Sequence, residues 1–227
     1  MFIHNRIANS MANGPGERAV VWVQGCSLAC SGCWNSETHA FVKDKDMSIG
    51  ELADWILDQN IEGVTFTGGE PFQQAPALEL LISFIKERRP ELSIGSFTGY
   101  TLQELRDGKF NWWHPELRIM IPGDAKLSNS ILKQMDFIIA GRYNQLQRCD
   151  DKPLCGSRNQ EVYFLSTRYS PTDLHSNIVE MVVDQEEGLV QITGFPESLA
   201  AIDDKEGWDD VSSHKDEGPD DQMLAVA

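Results

Sequence analysis

Short apolar runs alternate along this chain with longer stretches whose apolar residues recur every three or four positions, the pattern of strands joined by amphipathic helices. Residues 19–24 (AVVWVQ), 63–67 (GVTFT), 92–97 (LSIGSF), 136–140 (DFIIA) and 161–165 (EVYFL) read as strands. Ser48 is placed to cap a helix running through Gln59, with Glu51 completing a capping box and Leu52, Trp55, Ile56 and Gln59 on one stripe. Residues 77–89 form a second helix whose apolar face is Leu78, Leu81, Ile82 and Ile85, and Pro90 ends it. Thr101 caps a short third helix, and a fourth ends over residues 131–135. Residues 178–183 and 189–193, joined by Glu186-Glu187-Gly188, read as a late hairpin. The alternation implies an α/β fold with a parallel sheet wrapped by helices. Residues 108–130 carry no clear period; Trp112, Trp113 and Pro115 within them either pack in the core or at its edge, the preferred reading, or line a substrate mouth.

Charge and composition add boundaries. The net charge is −16, which argues against a surface built to neutralise phosphates, so nucleic acid is not expected as a partner. Residues 201–227 hold nine acids against two lysines and supply −7 of that total. With Gly218-Pro219 and little apolar periodicity, this segment reads as disordered or loosely attached. The expected organisation is one domain over residues 1–196 and an acidic tail over 197–227. No apolar run approaches the roughly 18–20 residues that span a bilayer, and the first ten residues lack a signal-peptide core. A cytoplasmic protein with no membrane partner is expected.

Three of the five cysteines, Cys26, Cys30 and Cys33, fall within eight residues on a loop that leaves the first predicted strand. Three thiolates so close together can hold three corners of an iron–sulfur cube, because iron in such clusters prefers thiolate ligands. No fourth cysteine lies nearby in sequence, which leaves one iron open, and an open position is where a metal site takes its substrate. A zinc site with His39 as fourth ligand is the alternative; its usual signature, two short-spaced ligand pairs, is missing. Thr67-Gly68-Gly69-Glu70-Pro71, Thr98-Gly99-Tyr100 and Gly141-Arg142-Tyr143 likewise follow predicted strands. Loops at the C-terminal ends of parallel strands form the ligand-binding edge. Glycines there admit a ligand to the backbone, and Glu70 offers a carboxylate to an ammonium group.

The cysteine loop followed by Gly68-Gly69-Glu70 resembles the radical S-adenosylmethionine superfamily. More narrowly, residues 13–18 (NGPGER), Gly25-Cys26, residues 31–35 (SGCWN), 68–71 (GGEP), 98–100 (TGY) and 156–160 (GSRNQ) are similar to motifs of the anaerobic ribonucleotide reductase activating proteins. Residues 63–71 (GVTFTGGEP) are similar to the pyruvate formate-lyase activating enzymes as well. The resemblance covers roughly residues 1–165. It implies a partial (β/α)6 barrel, here with a C-terminal extension, that binds a [4Fe-4S] cluster and S-adenosyl-L-methionine. Cys26, Cys30 and Cys33 would ligate iron. Gly69 and Glu70 would receive the methionine ammonium, the backbone of Gly32, Cys33 and Trp34 would cradle the adenine, and Gly68 and Thr98 would complete the cofactor site. The implied reaction is reductive cleavage to a 5′-deoxyadenosyl radical that installs a glycyl radical on a partner enzyme, with a flavodoxin- or ferredoxin-like electron donor. Direct modification of a peptide or small molecule is the alternative enzyme reading, and a non-catalytic iron–sulfur or zinc module the third.

Other residues take blander readings. Cys149 and Cys155 are free loop thiols, the five histidines are structural or exposed, and Asp136 serves packing or capping. Arg142 either meets a carboxylate or partner protein or forms a surface ion pair.

Overall fold

The computed structural model describes residues 1–42, 46–184 and 189–195. The acidic tail at 197–227 and the Glu186-Glu187-Gly188 turn lie outside the described residues. The central sheet has six strands: β1 (Ile3–Ser10), β2 (Arg18–Val23), β3 (Gly63–Gly68), β4 (Ser93–Thr98), β7 (Phe137–Ala140) and β8 (Glu161–Phe164), in the order β1-β2-β3-β4-β7-β8. β2, β3, β4 and β7 run parallel, whereas β1 and β8 close the edges antiparallel. Six strands are therefore present, but the strand–helix repeat extends only over the central four. β8 follows β7 through an irregular segment without an α-helix, so it returns in the opposite sense. β1 has no strand signature in the sequence, because IHNRIANS mixes polar and apolar residues, and only Ile3, Ile7 and Ser10 of it are buried.

The helices are α1 (Ile49–Leu57), α2 (Ala75–Arg88), α3 (Leu102–Arg106) and α4 (Ala125–Leu132). Ser48 and Thr101 cap α1 and α3 through complete capping boxes with Glu51 and Glu104, as their spacing predicts. The fourth helix ends at Leu132 rather than near 135; Asp124 caps its start by accepting from the Leu127 N–H at 2.8 Å. The unassigned stretch contains a small hairpin, β5 (Asn111–His114) with β6 (Ile119–Pro122). Trp112 packs against the core edge, and Trp113 stacks on Phe41 at 4.6 Å.

Period-two alternation divides β7 between two cores. Ile138 and Ala140 face the helices, packing with Leu52, Ile56, Leu81 and Ile85. Phe137 and Ile139 face the chain that crosses the opposite side, where Leu154, Cys155, Tyr169 and Phe195 cover them. Gly95 sits opposite Phe137 in register, and a Cβ there would lie 2.1 Å from the Phe137 ring. Two last strands, β9 (Val179–Asp184) and β10 (Leu189–Gly194), form a separate two-stranded sheet. Asp136 does what a packing residue should: it accepts from the Ile94 N–H at 3.0 Å and the Ser166 hydroxyl at 2.7 Å.

Candidate iron–sulfur and cofactor site

Four loops meet at the C-terminal edge of the parallel strands because their registers leave them level. Val23 pairs with Gly68, and Thr98 with Ala140. The β2–β3 ladder continues beyond the strands: Gly69 N–H donates to Val23 O at 2.8 Å, and Glu70 N–H to Gly25 O at 3.0 Å. The cysteine loop and the Gly-Gly-Glu loop are thus joined by main-chain hydrogen bonds. Gly69 has to be glycine, since a Cβ would come within 2.4 Å of Gly25 O. A single turn of 3-10 helix at Ser36–Thr38 closes the cysteine loop from behind, through Gly25 N–H to Thr38 O at 2.7 Å and Cys26 N–H to His39 O at 3.0 Å.

Cys26, Cys30 and Cys33 are half-buried and line one open cavity of about 310 Å³. Burial, reinforced by the nearby Glu70 carboxylate, pushes the Cys26 thiol up to about 11; burial also raises Cys33. A bound cation reverses that preference and deprotonates coordinating thiols. Among the described residues, no three His, Cys, Asp or Glu side chains close around a single ion position. The three thiols share this cavity, and Cys149 and Cys155 are not on its wall. This donor set fits an iron–sulfur cluster with one corner open to the cavity.

The rest of the cavity fits an organic ligand with polar ends. Thr98, Gly99, Gly69 and Glu70 form one wall; Trp34, Tyr143 and Phe195 form an aromatic one. Trp34 lies 6.1 Å from the Tyr143 ring and 6.0 Å from Phe195. The Tyr143 hydroxyl is buried without a hydrogen-bond partner, a cost that a ligand acceptor in the cavity would remove. Glu70 is 1 % exposed. Its carboxylate accepts from the Phe72 N–H (3.0 Å), the Thr98 hydroxyl (2.8 Å) and the Gly99 N–H (2.7 Å), which ties the loops after β3 and β4 together. Burial holds the carboxyl up at about 7 despite these donors. The third donor leaves one lone pair of this carboxylate for a cation in the cavity.

Of the residues expected at the site, Cys26, Cys30, Cys33, Trp34, Gly69, Glu70 and Thr98 come together on this cavity, whereas Gly32 and Gly68 do not line it. Gly32 (φ +70°) lets the Gln145 side chain pack beside the cysteine loop, and Gly68 (φ +88°) turns the chain over the Trp22 backbone. His39 and Tyr143, named in the zinc alternative and in the loop after the fourth parallel strand, also line the cavity, as does Asn13 of the NGPGER motif; Phe195 on the wall carries no signal in the sequence. Nor does fully buried Gln73, which accepts from the Ser27 N–H at 2.8 Å and donates to the Ser27 hydroxyl at 2.7 Å, pinning the cysteine loop. Arg142 forms the surface ion pair, with Glu104 at 2.9 Å. Cys149 and Cys155 are free thiols in an irregular segment, as expected, and both are buried.

Residues 12–163 match the 4Fe-4S single cluster domain family, an interval that contains all three cavity cysteines. The chain belongs to that family. Its relatives are anaerobic ribonucleoside-triphosphate reductase-activating proteins. The one from Pasteurella multocida is 31% identical over 162 residues, covering 67% of this chain and 90% of that protein. The phage T4 protein is 30% identical over 141 residues, 59% of this chain and 75% of its own. The Vibrio cholerae protein is 27% identical over 172 residues, 72% and 97% respectively. The family's cluster is iron–sulfur, which leaves the zinc alternative without support. Among the described residues no helix is long and apolar enough to cross a membrane.

One prediction concerns the tie between the loops. Glu70→Ala leaves three buried donors without an acceptor, at about 1–3 kcal/mol each before relaxation. Anaerobic thermal melts should show a loss of about 3 kcal/mol, roughly 6–12 °C in Tm for a chain this size. Thr98→Val removes one donor and should cost about 1 kcal/mol. Equal, small losses for both variants would show that the loops are held by other contacts.

Proposed function

We propose that this protein uses a [4Fe-4S] cluster to cleave S-adenosyl-L-methionine reductively and install a glycyl radical on an anaerobic ribonucleotide reductase. The observation that carries this reading is the meeting of Cys26, Cys30 and Cys33 with Gly69, Glu70 and Thr98 on one cavity wall. In this reading the open sheet of four parallel and two antiparallel strands is a partial radical S-adenosylmethionine barrel. Residues 1–196 form the catalytic domain, 197–227 a dispensable acidic tail, and the protein works in the cytoplasm.

Cys26, Cys30 and Cys33 would hold three irons as thiolates. When bound, cluster and S-adenosylmethionine together supply one-electron cleavage of a sulfonium carbon–sulfur bond, yielding methionine and a 5′-deoxyadenosyl radical that takes a hydrogen atom from the partner's glycine. Glu70, with its remaining lone pair, and the Gly69 backbone would orient the methionine ammonium. The backbone near Cys33 and the ring of Trp34 would seat the adenine end, and Thr98 keeps Glu70 in place. Trp34, Tyr143 and Phe195 would exclude water from the reacting atoms. A small flavodoxin- or ferredoxin-like protein would deliver the electron.

The test is anaerobic. Reconstituted, reduced protein with S-adenosylmethionine should form 5′-deoxyadenosine slowly alone and faster with the reductase, and the reductase should acquire an organic radical seen by electron paramagnetic resonance. Iron-loaded protein that forms no 5′-deoxyadenosine under either condition would overturn the proposal.

A further inference from the structure

The β9–β10 sheet lies beyond residue 163, where the family match ends, and it turns an apolar face to solvent. Met181 and Val183 of β9 stand directly opposite Ile192 and Val190 of β10. All four are more than half exposed, at 66%, 57%, 55% and 58% in that order. The polar residues alternate onto the other face, and they are what fastens the hairpin to the body. The Glu180 carboxylate accepts from the Ser10 hydroxyl at 2.5 Å and from the Met11 and Ala12 N–H groups at 2.8 and 3.2 Å. Asn5 donates to Gln191 at 3.1 Å, and Asn13 to Thr193 at 2.9 Å. A half-buried antiparallel sheet ordinarily packs its apolar side inward; this one is anchored by its polar side. At one end the exposed face runs into the functional site, because Ile192, Gly194 and Phe195 also line the cavity.

We propose that this face is the docking surface for the radical-accepting protein, which lays an extended segment with apolar side chains across β9–β10 and passes its glycine into the cavity beside Ile192. The inference rests on the proposed function, which requires a main-chain carbon of another protein to reach a site walled by Trp34, Tyr143 and Phe195. Extended chain meets that requirement, since it is thin enough to enter and pairs side chains with an exposed strand face. The size also fits. Four side chains at these exposures offer on the order of 400 Å², about half of the ~800 Å² per partner in a stable pairwise interface. A stable dimer of this chain through the face alone is therefore disfavoured, whereas a transient contact completed by the cavity mouth is not. The four positions carry no charge in a chain of net charge −16. The chain's net negative charge favours a partner segment with neutral or basic flanks over an acidic one.

The test uses the full chain, reconstituted without oxygen, and a purified anaerobic ribonucleoside-triphosphate reductase from the same organism. Val183→Lys/Val190→Lys places two like charges opposite each other on the outer face, and neither residue lines the cavity. Iron content and reductase-independent 5′-deoxyadenosine formation should stay within about twofold of wild type, while glycyl-radical yield at limiting reductase falls at least about tenfold. Hydrogen exchange on the wild-type protein gives a second reading: amides of β9 and β10 should slow when the reductase is added. Unchanged radical yield in the variant, or unchanged exchange in the wild type, overturns the docking surface while leaving the activity intact. No radical with wild-type protein removes both proposals together. Two results assign the face to another occupant and also overturn the proposal: a dimer that the lysines convert to monomer without reductase, or faster β9–β10 exchange after deletion of residues 197–227.

Discussion

Cys30→Ala is expected to lose its cluster outright, with iron falling from about four per chain towards none after anaerobic reconstitution. Cys30 sits mid-loop between a left-handed Ala29 (φ 46°) and the turn in which the Cys33 N–H donates to Cys30 O at 3.2 Å. The backbone therefore survives the change, and what disappears is one of three thiolates. With one corner already open, a cube held by two cysteines has too few protein ligands to persist. Cys26→Ala and Cys33→Ala should behave alike. Cys149→Ala and Cys155→Ala should retain full iron, because both residues are buried and neither lines the cavity; the Cys149 sulfur lies 3.9 Å from Cys155 O and the Cys155 sulfur 3.6 Å from Gln160 O. Their cost is a small core void of about 1 kcal/mol. Full iron in Cys30→Ala, or loss of iron in Cys155→Ala, would move the cluster elsewhere in the chain.

The second large effect is structural and lies at the opposite end of the sheet. Arg18 opens β2 with its guanidinium fully buried. It donates to Thr65 Oγ1 (2.8 Å), Pro15 O and Val64 O (2.9 Å each), Ser93 O and Oγ (3.2 Å each) and the Tyr169 hydroxyl (3.3 Å). Its charge also lies 4.8 Å from the Phe137 ring centroid. Burial lowers its pKa, opposed by Tyr169, whose hydroxyl donates to Glu62 at 2.5 Å. One side chain thus joins the starts of β2, β3 and β4 to the covering chain at Tyr169. Arg18→Met fills similar volume but leaves these acceptors without a donor. The expected loss is about 3–5 kcal/mol, or roughly 6–20 °C in Tm. Arg18→Lys keeps the charge but loses the planar fork and should recover less than half of that. A Tm within about 2 °C of wild type for Arg18→Met would show that the acceptors find water instead.

Chain patterning is legible where one physical demand dominates. The parallel strands are buried on both faces and read as apolar runs; α1 and α3 announce themselves through Ser48 and Thr101. The site was legible through glycine and cysteine, whose backbone and metal chemistry are local properties. β1 and the β5–β6 hairpin were not, because their residues are mostly half-exposed and show no clean period. Gln73 and Phe195 are illegible for another reason: each acts through a partner distant in sequence, Ser27 and Trp34 respectively, and nothing near them signals it. The late hairpin is legible as a hairpin, but its sequence does not say which side faces the body. Only the register to Met181 and Ile192, with their exposure, shows the apolar side facing out.

The central claim is that a hydrogen atom leaves a glycine of the partner enzyme for a fragment of S-adenosylmethionine in the cavity bounded by Cys26, Cys30, Cys33 and Glu70. It is tested most directly with a reductase whose glycines carry deuterium at the α-carbon, mixed anaerobically with reduced, iron-loaded protein and S-adenosylmethionine. Mass spectrometry should find one deuterium in the 5′-deoxyadenosine, in step with a reductase radical. Unlabelled 5′-deoxyadenosine forming at the same rate, with no radical on the reductase, would contradict the account.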